Sequence, residues 1–226
     1  MLGGGQLGRM FTVAAQTMGY QVVVLDPDLR SPAGCIADQH IRAGFTDEAA
    51  LDQMADVCDV VTTEFENIPA SVLRHLSQRI PVHPSAEAVE ITQNRIREKR
   101  FVRDIGLKTT HFAAIEGAGD ITAVEADFGF PAILKVAELG YDGKGQVTVD
   151  SFADLRAAHA ELGNVDCVLE QRVELALEVS VILACEKGGV SVCFPVAENI
   201  HRNGILHQTV VPADIPDALQ QEAKRQ

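Results

Sequence analysis

Through residues 3–92 the apolar positions switch repeatedly between a helical and a strand period. Met10, Val13, Ala14, Thr17 and Met18 recur at helical spacing and Gly19 follows them, which predicts a helix over residues 9–18 with a glycine stop. Val22 to Leu25 is a continuous apolar run closed by Asp26-Pro27, the pattern of a buried strand. The same periods predict strands at 40–43, 60–64 and 81–83 and helices at 47–56 and 70–76. Strands alternating with helices predict a parallel α/β sheet, in which ligands gather at the carboxyl ends of the strands. Residues 3–8 and 62–67 fall at two such ends and are expected to face one cleft.

A basic helix is predicted over residues 91–105, ended by Gly106, and the pattern then changes. Apolar strands are predicted at 130–135, 147–149, 168–171, 178–185 and 190–195, with a helix at 151–162 capped by Ser151. The last two strands meet at Lys187-Gly188-Gly189, so this half reads as α+β with antiparallel hairpins. Only Met1 and Leu2 precede the opening glycines, where a strand is expected. Ile215, Leu219 and Ala223 mark the first turns of a helix with no stop signal. Both ends therefore read as interrupted elements.

Composition narrows the classes. Of 226 residues, 46% are hydrophobic and 23% charged, which fits a folded globular chain and excludes a disordered tail. A net charge of -13 argues against non-specific binding to nucleic acid or an anionic membrane. Against that background Arg95, Arg97, Lys99, Arg100 and Arg103 cluster around a single Glu98, a candidate anion site whose competing reading is a solvated helix face. Five cysteines form no C-x-x-C pair, fit a reducing compartment and offer no zinc spacing with histidine. No apolar run reaches the roughly 18 residues of a membrane span.

Three features carry chemistry. Gly3, Gly5 and Gly8 fit G-x-G-x-x-G ahead of a predicted helix, whose free N–H groups and dipole suit a phosphate. Asp26 lies about where a dinucleotide fold places its ribose-binding acid. Lys135 ends a buried strand, where an ammonium is costly without an anion, and the glycine-rich turn at 140–146 follows. That turn lacks the spacing and terminal Ser/Thr of a Walker A loop, and an ordinary hairpin is its competing reading. Glu170 and Glu178 stand at strand ends, where carboxylates accept from ribose hydroxyls or an exocyclic amine, or serve as plain surface charge. His201 and His207 flank a glycine turn and singly read as structural.

Taken together these segments resemble one family, the 5-(carboxyamino)imidazole ribonucleotide synthases, ATP-grasp ligases of purine biosynthesis. The resemblance rests on the run Gly3-Gly4-Gly5-Gln6-Leu7-Gly8-Arg9-Met10, on Glu64-Phe65-Glu66-Asn67-Ile68-Pro69 and on the segment 93–99. It continues through the 140–146 turn, Glu170-Gln171, Glu178-Val179-Ser180 and Glu198-Asn199-Ile200-His201, in the family's order and over essentially the whole chain. It implies a parallel-sheet pre-ATP-grasp domain over 1–92, a linking helix over 93–107, a small lid subdomain over 108–167 and the start of an incomplete larger ATP-grasp subdomain over 168–226.

The family's chemistry implies that ATP and bicarbonate form carboxyphosphate and ADP, and that the carboxyl group then passes to the amine of aminoimidazole ribonucleotide. By this resemblance Arg95 and Lys135 contact the nucleotide, Lys135 at its phosphates. The turn Gly140, Tyr141, Asp142, Gly143, Lys144, Gly145 and Gln146 closes over the phosphates. Glu170, Gln171, Arg172 and Val173 take the adenine edge, Glu178 the ribose, and His201 lies close by. Tyr141, Asp142 and Lys144 line the bicarbonate and imidazole side and make the catalytic set with Lys135. Gln6, Leu7, Glu66 and Glu64 hold the ribonucleotide. Magnesium is expected as a cofactor, with its ligands beyond Gln226, so that no metal ligand is assigned and the polypeptide alone is expected not to turn over. A cytoplasmic homodimer acting on small molecules, with no nucleic acid or membrane partner, completes the expectation. The alternatives are a formate-using ribonucleotide transformylase, a non-catalytic nucleotide-binding fragment and an NAD-binding Rossmann protein. The glycine opening and Tyr141-Asp142 argue against the first.

Overall fold

The structure, a computed structural model, describes residues 1–124, 128–140, 145–186, 188–202 and 204–226. The chain divides into two units, Met1–Glu98 and Lys99–Gln226. The first holds α1 (Gln6–Thr17), β1 (Val23–Leu25), β2 (Gln39–Ile41), α2 (Glu48–Val57), β3 (Val61–Thr62), α3 (Ala70–Ser77), β4 (Val82–His83), α4 (Ala86–Thr92) and the start of α5 (Arg95–Asp104). β1 pairs with β2 and β3 with β4, both in parallel. Leu2 joins the two pairs, bridging Leu25 on one side and Thr63 on the other. Its N–H donates to Thr62 O at 2.8 Å, its carbonyl accepts from Glu64 N–H at 3.1 Å, and Gly3 N–H donates to Leu25 O at 3.0 Å. Fully buried Leu2 thus stands where the strand ahead of the glycine turn is expected, at the centre of the order β2-β1-Leu2-β3-β4.

Alternate residues of a strand point to opposite faces. Val22 and Val24 therefore pack with α1, while Leu25, Val61 and Val82 share a core with Leu51 and Met54 of α2 and Leu73 and Leu76 of α3. α1 forms where the spacing predicts it, but it buries another face. Gly8, Thr12 and Ala15 turn inward, while Met10, Val13 and Met18 are 63%, 52% and 70% exposed. The reason is close approach: a Cβ at Gly8 would lie 2.9 Å from Met1 Cε, so the helix sits on the sheet through its small residues.

The single basic helix predicted over 91–105 is two helices. Ser85 Oγ accepts from Ala88 N–H and starts α4, and Asn94 Oδ1 accepts from Ile96 and Arg97 N–H at 3.0 and 3.1 Å and starts α5. Both residues are ordinary N-caps. Between them Gln93 Nε2 donates to the carbonyls of Glu66 and Ile68, each at 2.6 Å.

The second unit continues with β5 (Phe112–Ile115), α6 (Ala118–Val124), β6 (Ala132–Val136), β7 (Gln146–Val149), α7 (Phe152–Glu161) and β8 (Cys167–Gln171). It ends with β9 (Glu178–Ser180), β10 (Leu183–Cys185), β11 (Ser191–Cys193), β12 (Ala197–Arg202), β13 (Ile205–Val210) and α8 (Asp217–Arg225). An antiparallel sheet runs in the order β5-β8-β6-β7. α6 and α7 cover one face, where Ile121 and Leu155 pack against Ile115, Ala132, Leu134, Val149 and Leu169. The division expected at 167/168 cuts β8, whose hydrogen bonds to β5 and β6 tie it to the residues before it, so this sheet extends to Gln171. The strand predicted over 178–185 is two strands: β9 joins β12 and β13, and β10 forms a hairpin with β11.

Leu134 is fully buried in an inner strand of that sheet. Leu134→Ala is expected to lower the stability of the second unit by about 3 kcal/mol, through lost transfer energy and the cavity left behind. Urea unfolding followed by circular dichroism measures it, and a change near zero would contradict the placement of β6.

Candidate functional site

Register decides what the sheet face opposite α6 and α7 carries. Glu170 on β8 lies opposite Phe112 on β5 and Ile133 on β6. Lys135 is two residues along from Ile133 and so shares its face, while Ala132, Leu134 and Leu169 turn toward α6 and α7. Glu170 is only 8% exposed, on an inner strand and against Lys99 and Lys135. Its Oε2 accepts from Lys135 Nζ at 3.0 Å, and its Oε1 stands 3.4 Å from Lys99 Nζ. Lys99 also donates to Thr109 Oγ1 at 3.1 Å and lies 5.7 Å from the centre of the Phe112 ring. The side chains of Lys99, Lys135 and Glu170 are 17%, 25% and 11% exposed. Two ammonium groups on one carboxylate leave a formal charge of +1 on an otherwise acidic chain.

The basic cluster on α5 divides between the two readings the sequence offered. Arg97 pairs with Glu90, Arg100 with Glu116 and Arg103 with Asp104, all at exposed positions, so these arginines form the solvated face. Lys99, from the same cluster, joins the buried carboxylate, and nothing in the spacing sets it apart. The signal lies in register, which appears only once β5, β6 and β8 are paired. Arg95 stands one turn ahead of it on α5, half-buried.

The turn after β6 begins beside this cluster. Lys135 lies opposite Gln146, and Val136 N–H donates to Gly145 O at 2.8 Å. Gly145 has φ +72°, and a Cβ there would lie 2.7 Å from Val136 Cγ2, so this position needs glycine. Gly140 is half-buried. Tyr141, Asp142, Gly143 and Lys144 lie outside the described residues. Beyond β8, Arg172 N–H donates to Pro131 O at 3.0 Å, and the Gln171, Arg172 and Val173 side chains are exposed. Glu178 on β9 and His201 on β12 form a second group, with Glu178 Oε1 3.5 Å from His201 Nδ1. The β12–β13 register shifts between Ile200 and His201. A Cβ built on Gly204, in the β12–β13 turn, would lie 3.8 Å from Gln146 Nε2, so the hairpin carrying His201 approaches the end of the glycine turn.

In the first unit the strand order reverses at Leu2, and Gly3–Gly5 and Thr63–Glu64 flank that switch point, the usual ligand position in an open parallel sheet. The donors there are occupied by carboxylates of the chain itself. Gly4 N–H donates to Asp26 Oδ2 at 2.8 Å and Gly5 N–H to Glu64 Oε1 at 2.7 Å. The other oxygen of Asp26 accepts from Asp28 N–H at 2.8 Å, so both its oxygens serve the local turn. Gln6, Leu7 and Glu66 are exposed, and Glu64 is half-buried.

Burial pushes the Cys167 thiol up to about 11 and raises that of Cys58, and reactivity belongs to the thiolate. Among the described residues no group of three or more His, Cys, Asp or Glu gathers that could hold a metal ion. Among them, too, no helix is long and apolar enough to cross a membrane.

Comparison with known proteins follows the same division. The ribonucleotide synthetase preATP-grasp domain family matches residues 1–93, and the ATP-grasp domain family matches residues 100–226. The N5-carboxyaminoimidazole ribonucleotide synthase of Pseudomonas aeruginosa is 41% identical over 218 residues, covering 96% of this chain and 60% of that protein. A crystal structure of the ADP complex of an N5-carboxyaminoimidazole ribonucleotide synthetase superposes with a TM-score of 0.93 at 41% identity, over 99% of this chain and 59% of that one. The Aspergillus clavatus synthase in complex with ADP and 5-aminoimidazole ribonucleotide superposes with a TM-score of 0.87 at 29% identity, over 99% of this chain and 59% of that one. The chain thus spans about three fifths of the length of the curated relatives it matches.

The two acidic positions should differ in weight. Glu170→Ala leaves two little-exposed ammonium groups without their carboxylate and is expected to destabilise the second unit by about 3 kcal/mol. Glu178→Ala removes a partner at a more open position and should change stability by under about 1 kcal/mol. Paired urea melts check this, and equal losses would contradict the buried role of Glu170.

Proposed function

The chain belongs to the ATP-grasp family, and from that premise we propose the ATP-dependent carboxylation of aminoimidazole ribonucleotide as its function. Bicarbonate supplies the carboxyl group through carboxyphosphate, and the products are 5-(carboxyamino)imidazole ribonucleotide, ADP and phosphate. The observation that carries this reading is the cluster of Lys99, Lys135 and Glu170 on the sheet face opposite α6 and α7, at the root of a glycine turn. In this reading Lys135 meets the phosphates, with Arg95 also at the nucleotide. Gly140 to Gln146 close over it, and Glu170 with Gln171, Arg172 and Val173 takes the adenine edge. Glu178 takes the ribose with His201 near it. Tyr141, Asp142 and Lys144 work on the bicarbonate and imidazole side. Gln6, Leu7, Glu64 and Glu66 hold the ribonucleotide, which the switch point of the first unit supports.

Phosphoryl transfer asks a protein for positioning and charge neutralisation more than for a covalent partner. A formal +1 at Lys99, Lys135 and Glu170 meets that need locally on a chain of net charge -13. Carboxyphosphate is readily hydrolysed, so the turn's proposed closure would also exclude water. Magnesium belongs to the same reading as the nucleotide's partner, and among the described residues no group of three or more His, Cys, Asp or Glu gathers to hold it. The five free cysteines fit a cytoplasmic location. A homodimer belongs to the same reading, supported by the exposed apolar residues of α1.

The test is a chimera in which this chain replaces the matching three fifths of the Pseudomonas aeruginosa relative. ADP release is expected only when bicarbonate and aminoimidazole ribonucleotide are both present, and Lys135→Ala should slow it about a hundredfold, the scale of losing one charge-stabilising donor. Release with formate in place of bicarbonate would favour a transformylase. ATP binding with no turnover would favour a binding module, and unchanged turnover in Lys135→Ala would remove that lysine from the phosphates.

A further inference from the structure

In the site just proposed, Lys135 Nζ has two partners to serve. One is the Glu170 carboxylate, 3.0 Å away and within a residue 8% exposed, and the other is the phosphate of an incoming nucleotide. A buried carboxylate stripped of its cation is strongly unfavourable, so a lysine that alone neutralised Glu170 could turn to a phosphate only at Glu170's expense. The structure shows a second cation on the other oxygen. Lys99 Nζ stands 3.4 Å from Glu170 Oε1, while Lys135 uses Oε2. The two lysines also differ in anchorage. Lys99 comes from a helix, donates to Thr109 Oγ1 at 3.1 Å and lies 5.7 Å from the centre of the Phe112 ring. Lys135 ends a strand leading into the glycine turn and is the more exposed of the two, at 25% against 17%.

We propose that Lys99 is a positioning residue for nucleotide binding: it holds Glu170 paired, so that Lys135 is free to engage the phosphates. Lys99 itself touches no substrate in this arrangement and acts through Glu170. The inference rests on the reading of Lys135 as the phosphate-binding lysine. When Lys135 moves to the phosphate, the carboxylate keeps its contact with Lys99. When Lys99 is absent, Glu170 retains Lys135, and the affinity contributed by the phosphates falls.

Calorimetry on the chain with ATP, and with adenosine by competition, separates the possibilities, because the ratio of the two dissociation constants isolates the phosphates. In Lys99→Met the preference for ATP over adenosine should fall at least about tenfold, one charge-assisted contact by ordinary affinity arithmetic. Lys99→Arg should keep it. Adding Glu170→Gln to Lys99→Met should restore most of it, because the neutral amide no longer holds Lys135. Glu170→Gln alone and the double variant should show the same preference, a comparison that stands even if Lys99→Met folds poorly. Equal weakening of ATP and adenosine in Lys99→Met would make Lys99 merely structural and overturn the inference. So would an unchanged ratio, or a further loss in the double variant relative to Glu170→Gln. A wild-type chain that binds adenosine as tightly as ATP would instead overturn the phosphate role of Lys135, and the inference with it.

Discussion

Glu170 stands in an inner strand of a four-stranded sheet and is only 8% exposed, and a carboxylate so removed from water needs cations to be tolerable. Much of the second unit's site follows from that constraint. β6 must place Lys135 on the same face as Glu170, which fixes which residues of β6 turn the other way toward α6 and α7. α5 must bring Lys99 within reach, which ties the basic helix to a sheet that begins several residues later. The turn that follows β6 then starts beside a locally positive patch. Positive potential is thus concentrated on an acidic chain without any excess of basic residues.

The first unit solves a related problem with backbone groups. Parallel strands meet at Leu2, and the glycines after it leave N–H groups at the carboxyl end of the sheet. Those of Gly4 and Gly5 are satisfied by Asp26 and Glu64. Glycine is required here for close approach as much as for phosphate: Gly3 has φ +91°, and a Cβ at Gly4 would lie 2.6 Å from Ser31 Oγ. A G-x-G-x-x-G pattern therefore records tight packing between turn, helix and neighbouring loops as well as any ligand.

What could be read from the sequence was set by the range of the forces involved. Local signals sufficed for the alternation of helices and strands, for the Ser151 cap of α7 and for the hairpin at Gly188-Gly189. They also marked Lys135 as an ammonium in need of an anion. They did not show that the anion is Glu170, because Lys135 and Glu170 are 35 residues apart and only the register of β6 and β8 unites the pair. Lys99 was one of five similar cations, and its inward direction depends on where α5 meets β5. The face of α1 was misjudged for a different reason. Apolar spacing marked Met10, Val13 and Met18, but the sheet accepts only the small side chains of Gly8, Thr12 and Ala15 at that distance. The break at Gln93-Asn94 was legible in principle, since Asn94 is an ordinary cap, but helical spacing on both sides concealed it.

The central claim is that Glu170 is shared by two lysines so that one of them can leave. A crystal structure of the chain with a non-hydrolysable ATP analogue tests it most directly. The account predicts Lys135 Nζ within hydrogen-bonding distance of a phosphate oxygen, with Lys99 still on Glu170. An analogue bound with its phosphates away from Lys135, which stays on Glu170, would contradict it.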